Sequence, residues 1–176
     1  MGGFFGVASK ENCAGDLFYG TDYHSHLGTK RGGLAICGPE GFVRVIHSIE
    51  NDQFRSKFDD DVAGMKGRMG IGVISDTDDQ PLLIRSHLGN YAIVTVGVIK
   101  NKEDLAKRAF ETQRLHFSEM SGGEISPTEL IATLINQEAT FEAGIAGALD
   151  AIQGSCSLLL LTEPGIYAAR DKWGRT

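Results

Sequence analysis

The sequence predicts one mixed α and β domain. Short apolar runs of strand length recur along the chain, segments with apolar residues four and three apart stand between them, and glycine- and proline-rich turns separate the two kinds. With 176 residues and 41% hydrophobic content, there is enough apolar material for a sizeable core. No internal repeat, low-complexity segment or linker divides the chain.

Met1–Ser9 opens on Phe4, Phe5 and Val7, so the first strand would bring the terminal amine beside the core. That placement suits a site where an α-amine acts as base for a side-chain nucleophile. Asn12 is placed to cap a helix running to about Ser25, with Cys13, Leu17 and Phe18 inward. Leu34–Cys37 and Phe42–His47 read as a hairpin turned by Gly38, Pro39, Glu40 and Gly41. In the helix expected over Asn51–Met65, Phe54, Phe58, Val62 and Met65 share one face. Asp59, Asp60 and Asp61 lie largely opposite and read as a solvated face, because their spacing offers no ligand cage.

The GRMGIG stretch from Gly67 lacks the order of a phosphate loop and runs into a strand. Leu82–Ser86 and Tyr91–Val98 form the next hairpin, through His87 to Asn90. Asn101 is placed to cap a third helix, with Asp104 at its capping-box position and Leu105, Ala109 and Phe110 inward; Ser118–Ile125 reads as a loop. The clearest local signal is Ser126 as N-cap, Pro127 at the first helical position and Glu129 three residues after the cap. That helix carries Leu130, Ile131, Leu134 and Ile135, and another over Thr140–Gln153 buries Phe141, Ile145, Leu149 and Ile152 before Gly154 ends it. Ser155–Thr162 and Ile166–Arg170 are the final strands.

Composition limits the function classes. A net charge of -6 with scattered Lys and Arg argues against nucleic acid, and no stretch approaches the ~20 apolar residues that span a membrane. Cys13, Cys37 and Cys156, odd in number and without metal spacing, read as reduced thiols of a cytoplasmic protein. Cys13 begins a helix, but no partner base is placed for it, so it reads as packing; Cys37 and Cys156 read as core. No signal or transit segment is expected. His24 and His26 form a His-x-His pair without a third ligand, which reads as structural, and no metal or cofactor is expected.

MGGFFGVAS resembles the opening of the class II glutamine amidotransferases in their amidophosphoribosyltransferase branch, which begin Cys, Gly, an apolar pair, Gly and another apolar residue. The nucleophilic cysteine of that pattern falls on Gly2. LFYGTDYHSHLGTKRGGLAI is similar to the family's LYYGL…LQHRGQES-AGI, keeping His26 and Gly28 but placing Leu27 and Thr29 on its Arg and Gln. Gly67, Ile71, Gly72 and the Gln80–Pro81 pair keep the frame of the next motif. Between them the family's HVRYST becomes Val73, Ile74, Ser75, Asp76, Thr77 and Asp78. The family's arginine there grips the glutamine carboxylate bidentately. Serine cannot do so, and rescue by Arg68 or Arg85 would be out of register.

YAIVTVGVIKN is similar to IAIVHNGNLTN, whose Asn and Gly form the oxyanion hole. Gly97 is kept, whereas Val96 removes a donor worth about 3 kcal/mol of barrier in comparable sites. Pro127 takes the place of an aspartate that helps bind the glutamine amine in the family's SDSE, and Glu129 matches its glutamate. The segment from Gly154 to Thr176 is similar to GAYSLVLLTEDGLIAARDPYGIRP, including Ala168, Ala169, Arg170 and Asp171.

The resemblance implies the αββα four-layer sandwich of the Ntn hydrolases, an α+β fold, with the C-terminal end of the domain missing. It implies that residues 1–176 are most of a glutaminase domain. No phosphoribosyltransferase motif is found in the chain; such a domain would follow in a full-length, homo-oligomeric protein of purine synthesis. With Gly2, Ser75, Val96 and Pro127 all departing from the pattern, the expected domain has lost glutamine hydrolysis and is structural or regulatory. The alternatives are a noncatalytic small-molecule-binding or scaffolding module on the same fold, and new chemistry using the free amine at Gly2.

Overall fold

In the computed structural model, which describes residues 2–113, 120–121 and 124–174, the elements run in chain order. They are β1 (Gly3–Ala8), α1 (Ala14–Tyr23), a 3-10 turn (Ser25–Leu27), β2 (Arg31–Gly38), β3 (Gly41–Ser48), α2 (Phe54–Gly64), β4 (Met69–Ser75), β5 (Leu82–Ser86) and β6 (Gly89–Ile99). Then come α3 (Lys102–Gln113), the short β7 (Met120–Ser121) and β8 (Glu124–Ile125), α4 (Pro127–Ile135), α5 (Phe141–Ala151), β9 (Gly154–Thr162) and β10 (Ile166–Arg170). One antiparallel sheet has the order β1-β4-β2-β3, and a second has the order β10-β9-β6-β5.

Strand alternation decides the layers. Successive side chains point to opposite faces, so Ile71 and Val73 of β4 meet Ala92, Val94, Leu159 and Leu161 of the second sheet in a core between the sheets. Neighbouring residues of the same strands face outward. Leu34, Ile36 and Ile74 pack under α1 and α2 against Leu17, Phe18, Phe54 and Phe58. On the far side, Ile93, Leu158 and Leu160 pack under α4 and α5 against Ile131, Ile135 and Ile145. Leu105 and Ala106 of α3 join Leu130 in a smaller cluster. Two sheets buried on both faces need helices outside them, and the result is the αββα sandwich.

Local signals mostly fall where expected, with instructive exceptions. Ser126 caps α4, its hydroxyl accepting the Glu129 N–H at 3.2 Å, and Thr140 caps α5 in the same way through Ala143. Asn12 does not cap α1, which starts at Ala14 after Cys13; its side chain instead accepts the Gly67 N–H at 3.0 Å. Asn101 stands directly before α3 as expected, its carbonyl accepting the Leu105 N–H, but its side chain reaches across to the end of α5, donating to Ala151 O and accepting from Gln153 N. In both cases a tertiary partner competes for the amide that a local cap would use.

α2 begins at Phe54, three residues later than the apolar spacing suggests, and Met65 is buried just past its end. Asp59 and Asp60 are exposed, but Asp61 accepts from or pairs with His47 Nε2 at 2.7 Å. The β5–β6 turn is tighter than expected, only His87 and Leu88 separating the strands. Cys13 and Cys156 are buried, whereas Cys37 is only half-buried, at the edge of the inter-sheet cluster. Ser118–Ile125, expected as a loop, instead carries the antiparallel pair β7 and β8, with Met120 opposite Ile125 and Ser121 opposite Glu124, because backbone pairing between them satisfies their N–H and C=O groups; the inward placement of Phe110 and the rest of that stretch lie outside the described residues.

Phe58 is fully buried, stacked on Phe54 at 4.3 Å between centroids and edge-on to His47 at 4.8 Å. Phe58→Ala is expected to cost about 3–5 kcal/mol of unfolding free energy, measured by urea titration, because α2 cannot collapse into the space.

Candidate functional site

The start of β1, the ends of β4 and β6, the start of β9 and the first turn of α4 converge at one end of the sandwich. They enclose a cavity of about 500 Å³. All five positions singled out from the sequence, Gly2, Ser75, Val96, Gly97 and Pro127, line it. Arg68 and Arg85 do not, and among the described residues no lysine or arginine lines it.

Position 2 is occupied by backbone alone. A Cβ built there would overlap the carbonyl oxygen of Ile74, so the first strand lies closer to β4 than any side chain allows. Gly97 has φ +152°, and a Cβ on it would overlap the Ser155 carbonyl, so glycine is required for both conformation and space.

Ser75, at the position of the family's arginine, is turned into the protein. Its hydroxyl accepts from Thr77 N at 3.3 Å, Asp78 N at 3.4 Å and Gln80 Nε2 at 3.4 Å. Behind it Asp78 is 1% exposed. Its Oδ1 accepts from the Thr77 hydroxyl at 2.7 Å and Gln80 Nε2 at 2.9 Å, and its Oδ2 from the Ser126 hydroxyl at 2.6 Å and Thr128 N at 3.2 Å. A buried carboxylate is tolerated only when its lone pairs are met, and here four neutral donors and the amino end of α4 meet it. Gln80 extends the network by exchanging two bonds with the Thr95 backbone, while the Thr95 and Thr128 hydroxyls bond each other at 2.7 Å.

Asp76, also at the cavity wall, accepts from Thr29 N at 2.7 Å and Lys30 N at 3.2 Å and so fastens the segment after the 3-10 turn to the end of β4. Burial alone would raise its pKa, but the Thr29 amide, the hydrogen bond and positive charge of the amino terminus, and the Lys30 amide together outweigh it and hold the carboxyl below its usual range. His24 and Leu27 complete the wall on that side.

None of the three cysteines reaches the cavity. Ser155 and Ser157 line it, and strand alternation turns Cys156 the other way into the core under α4 and α5. Burial, with Asp171 nearby, pushes the Cys156 thiol up to about 12, and burial raises the Cys13 and Cys37 thiols as well. His26 Nδ1 is within 2.9 Å of Tyr23 O, and no cluster of three metal-ligating side chains occurs among the described residues.

Sequence reasoning missed the Asp78 network and the place of His24. Ser126 is legible as a cap, but nothing local indicates that its hydroxyl also donates to a carboxylate 48 residues earlier.

Replacing Asp78 by Leu is expected to cost about 3–5 kcal/mol in urea unfolding, because four buried donors lose their acceptor together, and Asp78→Asn to cost less. For Asp76, a folded pKa below the usual value means stabilisation that is present above the unfolded pKa and lost as pH falls through the folded one. Amide exchange at Thr29 and Lys30, corrected for its intrinsic pH dependence, is therefore expected to lose protection below about pH 4 in wild type, and at neutral pH in Asp76→Ala.

Residues 66–176 match a family model described as a glutamine amidotransferase domain. The amidophosphoribosyltransferase of Methanocaldococcus jannaschii is 29% identical across 99% of the chain, which spans 38% of that relative's length. Among solved structures, the glutamine phosphoribosylpyrophosphate amidotransferase of B. subtilis complexed with ADP and GMP aligns with TM-score 0.81 and 23% identity, over 97% of this chain and 37% of that one. A structure titled as the allosteric regulatory enzyme of purine biosynthesis aligns with TM-score 0.83 and 24% identity, over 99% and 38%. The family model covers more than half of the chain, and the chain belongs to the glutamine amidotransferase domain family.

Proposed function

We propose that this chain is the glutaminase-type domain of an amidophosphoribosyltransferase-like protein of purine nucleotide synthesis, and that it does not hydrolyse glutamine. In the complete protein a phosphoribosyltransferase domain would place nitrogen on phosphoribosyl pyrophosphate using free ammonia. The domain described above would then cover or regulate that second domain.

The observation that carries this reading is the state of position 2. A thiol nucleophile needs a Cβ, and the backbone there leaves no room for one beside Ile74. Three further features support it. The carboxylate-gripping cation is replaced by Ser75, whose hydroxyl is committed to Thr77, Asp78 and Gln80. Val96 supplies no side-chain donor beside the Gly97 amide, and Pro127 supplies no carboxylate for a ligand amine.

A second reading, a noncatalytic binding module, is favoured by the retained cavity of about 500 Å³. The two are compatible, since a regulatory domain can hold a ligand.

The test is glutamate release by the purified full-length protein. No release above buffer is expected from wild type, from Gly2→Cys, or from Gly2→Cys combined with Ser75→Arg, because neither change reopens the contact between β1 and β4. Phosphoribosylamine formation is expected with ammonium chloride and not with glutamine. Release of glutamate at enzyme-like rates by wild type would overturn the reading.

A further inference from the structure

On one side of the sandwich the two sheets end with their edge strands together. β3 closes the first sheet and β5 the second, and Arg44 on β3 donates to the Pro81 carbonyl just before β5 at 3.2 Å. Beside this tie lies a groove of about 180 Å³, lined by Phe42 of β3 and by residues of β5 and β6, which shares no lining residue with the cavity. Among the described residues no strand pairs with the outer edge of either β3 or β5. Such an edge leaves a row of backbone N–H and C=O groups ready to pair with another strand.

Alternation along β5 sorts its side chains. Leu82 and Ile84 pack under α4 and α5, so Leu83 and Arg85, two residues apart, share the opposite face, toward the groove. Leu83 is 41% exposed and lines the groove together with Phe42. The Arg85 guanidinium is exposed and, among the described residues, forms no ion pair or hydrogen bond. Glu40 in the β2–β3 turn and Glu163 in the β9–β10 turn pair with neither Arg44 nor Arg85. A second copy of β5 would be a poor occupant, because Leu82–Ser86 carries a cation and no carboxylate to meet it. An acidic segment supplies the charge that is missing.

We propose that the outer edge of β5 docks an extended segment of a partner protein, which pairs with it as an added strand and carries a large apolar residue and an acidic residue two positions apart. Directly opposed side chains on paired strands meet across the ladder. The apolar residue therefore covers Leu83 and Phe42, while the carboxylate accepts from the Arg85 guanidinium, a geometry that suits two parallel bonds. Main-chain bonds supply the affinity, and the spacing of two supplies the selectivity. This site is independent of whether the domain hydrolyses glutamine.

Two fluorescent peptides of identical composition test it, measured by anisotropy against the full-length protein. The probe is Thr-Val-Asp-Thr-Phe-Thr-Asp-Val-Thr, which sets an acid two residues from the phenylalanine whichever way the strand runs. The control is Thr-Val-Thr-Asp-Phe-Asp-Thr-Val-Thr, whose acids fall on the opposite face from the ring. The probe is expected to bind saturably and the control about tenfold more weakly, as the loss of an apolar anchor or of its paired charge implies. Leu83→Asp is expected to weaken the probe by about the same factor. Arg85→Glu is expected to lose the probe and to gain a version with lysine at both aspartate positions, a gain that a misfolded variant could not show. Both side chains are exposed, so both variants should keep the wild-type melting temperature. The proposal is overturned if wild type shows no saturable binding of the probe, if the control binds equally well, or if the charge reversal brings no gain. It is equally overturned if wild type self-associates in sedimentation and Leu83→Asp abolishes that, which would mark an interface between copies.

Discussion

A carboxylate shut away from water must find its hydrogen-bond donors inside the protein, and Asp78 finds them on two separated pieces of chain. It draws the Ser126 hydroxyl and the Thr128 amide at the head of α4 onto the segment that leaves β4, and it holds Gln80, which in turn clasps Thr95 on β6. One buried charge therefore fixes the relative positions of β4, β6 and α4, three of the walls around the cavity. The amino end of a helix is where such a charge is least costly, and α4 begins with Pro127, which lacks an N–H.

The pattern that the sequence resembles would place a cation facing the ligand at the position of Ser75. Here the same position faces backward, and the negative charge three residues later is neutralised by dipoles instead of by an ion. At position 2 the backbone lies against the Ile74 carbonyl, with no space for a Cβ. The two large sheets and the helices packed on them are held by apolar layers away from these positions.

The layers were largely legible in the sequence. Phe54 and Phe58 on one face of α2, the alternation through Tyr91–Val94 and Leu158–Leu161, and the Ser126–Pro127 helix start are local patterns that tertiary packing reinforced. Asn12 and Asn101 misled because each had a better hydrogen-bond partner far along the chain than in its own first turn. The site was legible only as positions: motif frames brought Gly2, Ser75, Val96, Gly97 and Pro127 together, and the cavity contains all of them. What the sequence alone did not disclose was direction. Whether Ser75 looks into the cavity or away from it depends on Asp78, Gln80 and Ser126, and no spacing rule links residues 48 apart.

The central claim is that the Asp78 network and the closed first strand leave nothing to grip glutamine. Calorimetric titration of glutamine into the full-length protein, carried to roughly tenfold above the ~1 mM upper end of ordinary KM values, measures this directly. A flat titration is predicted, and a saturable heat with one glutamine bound per chain, lost in Ser75→Ala, would contradict it.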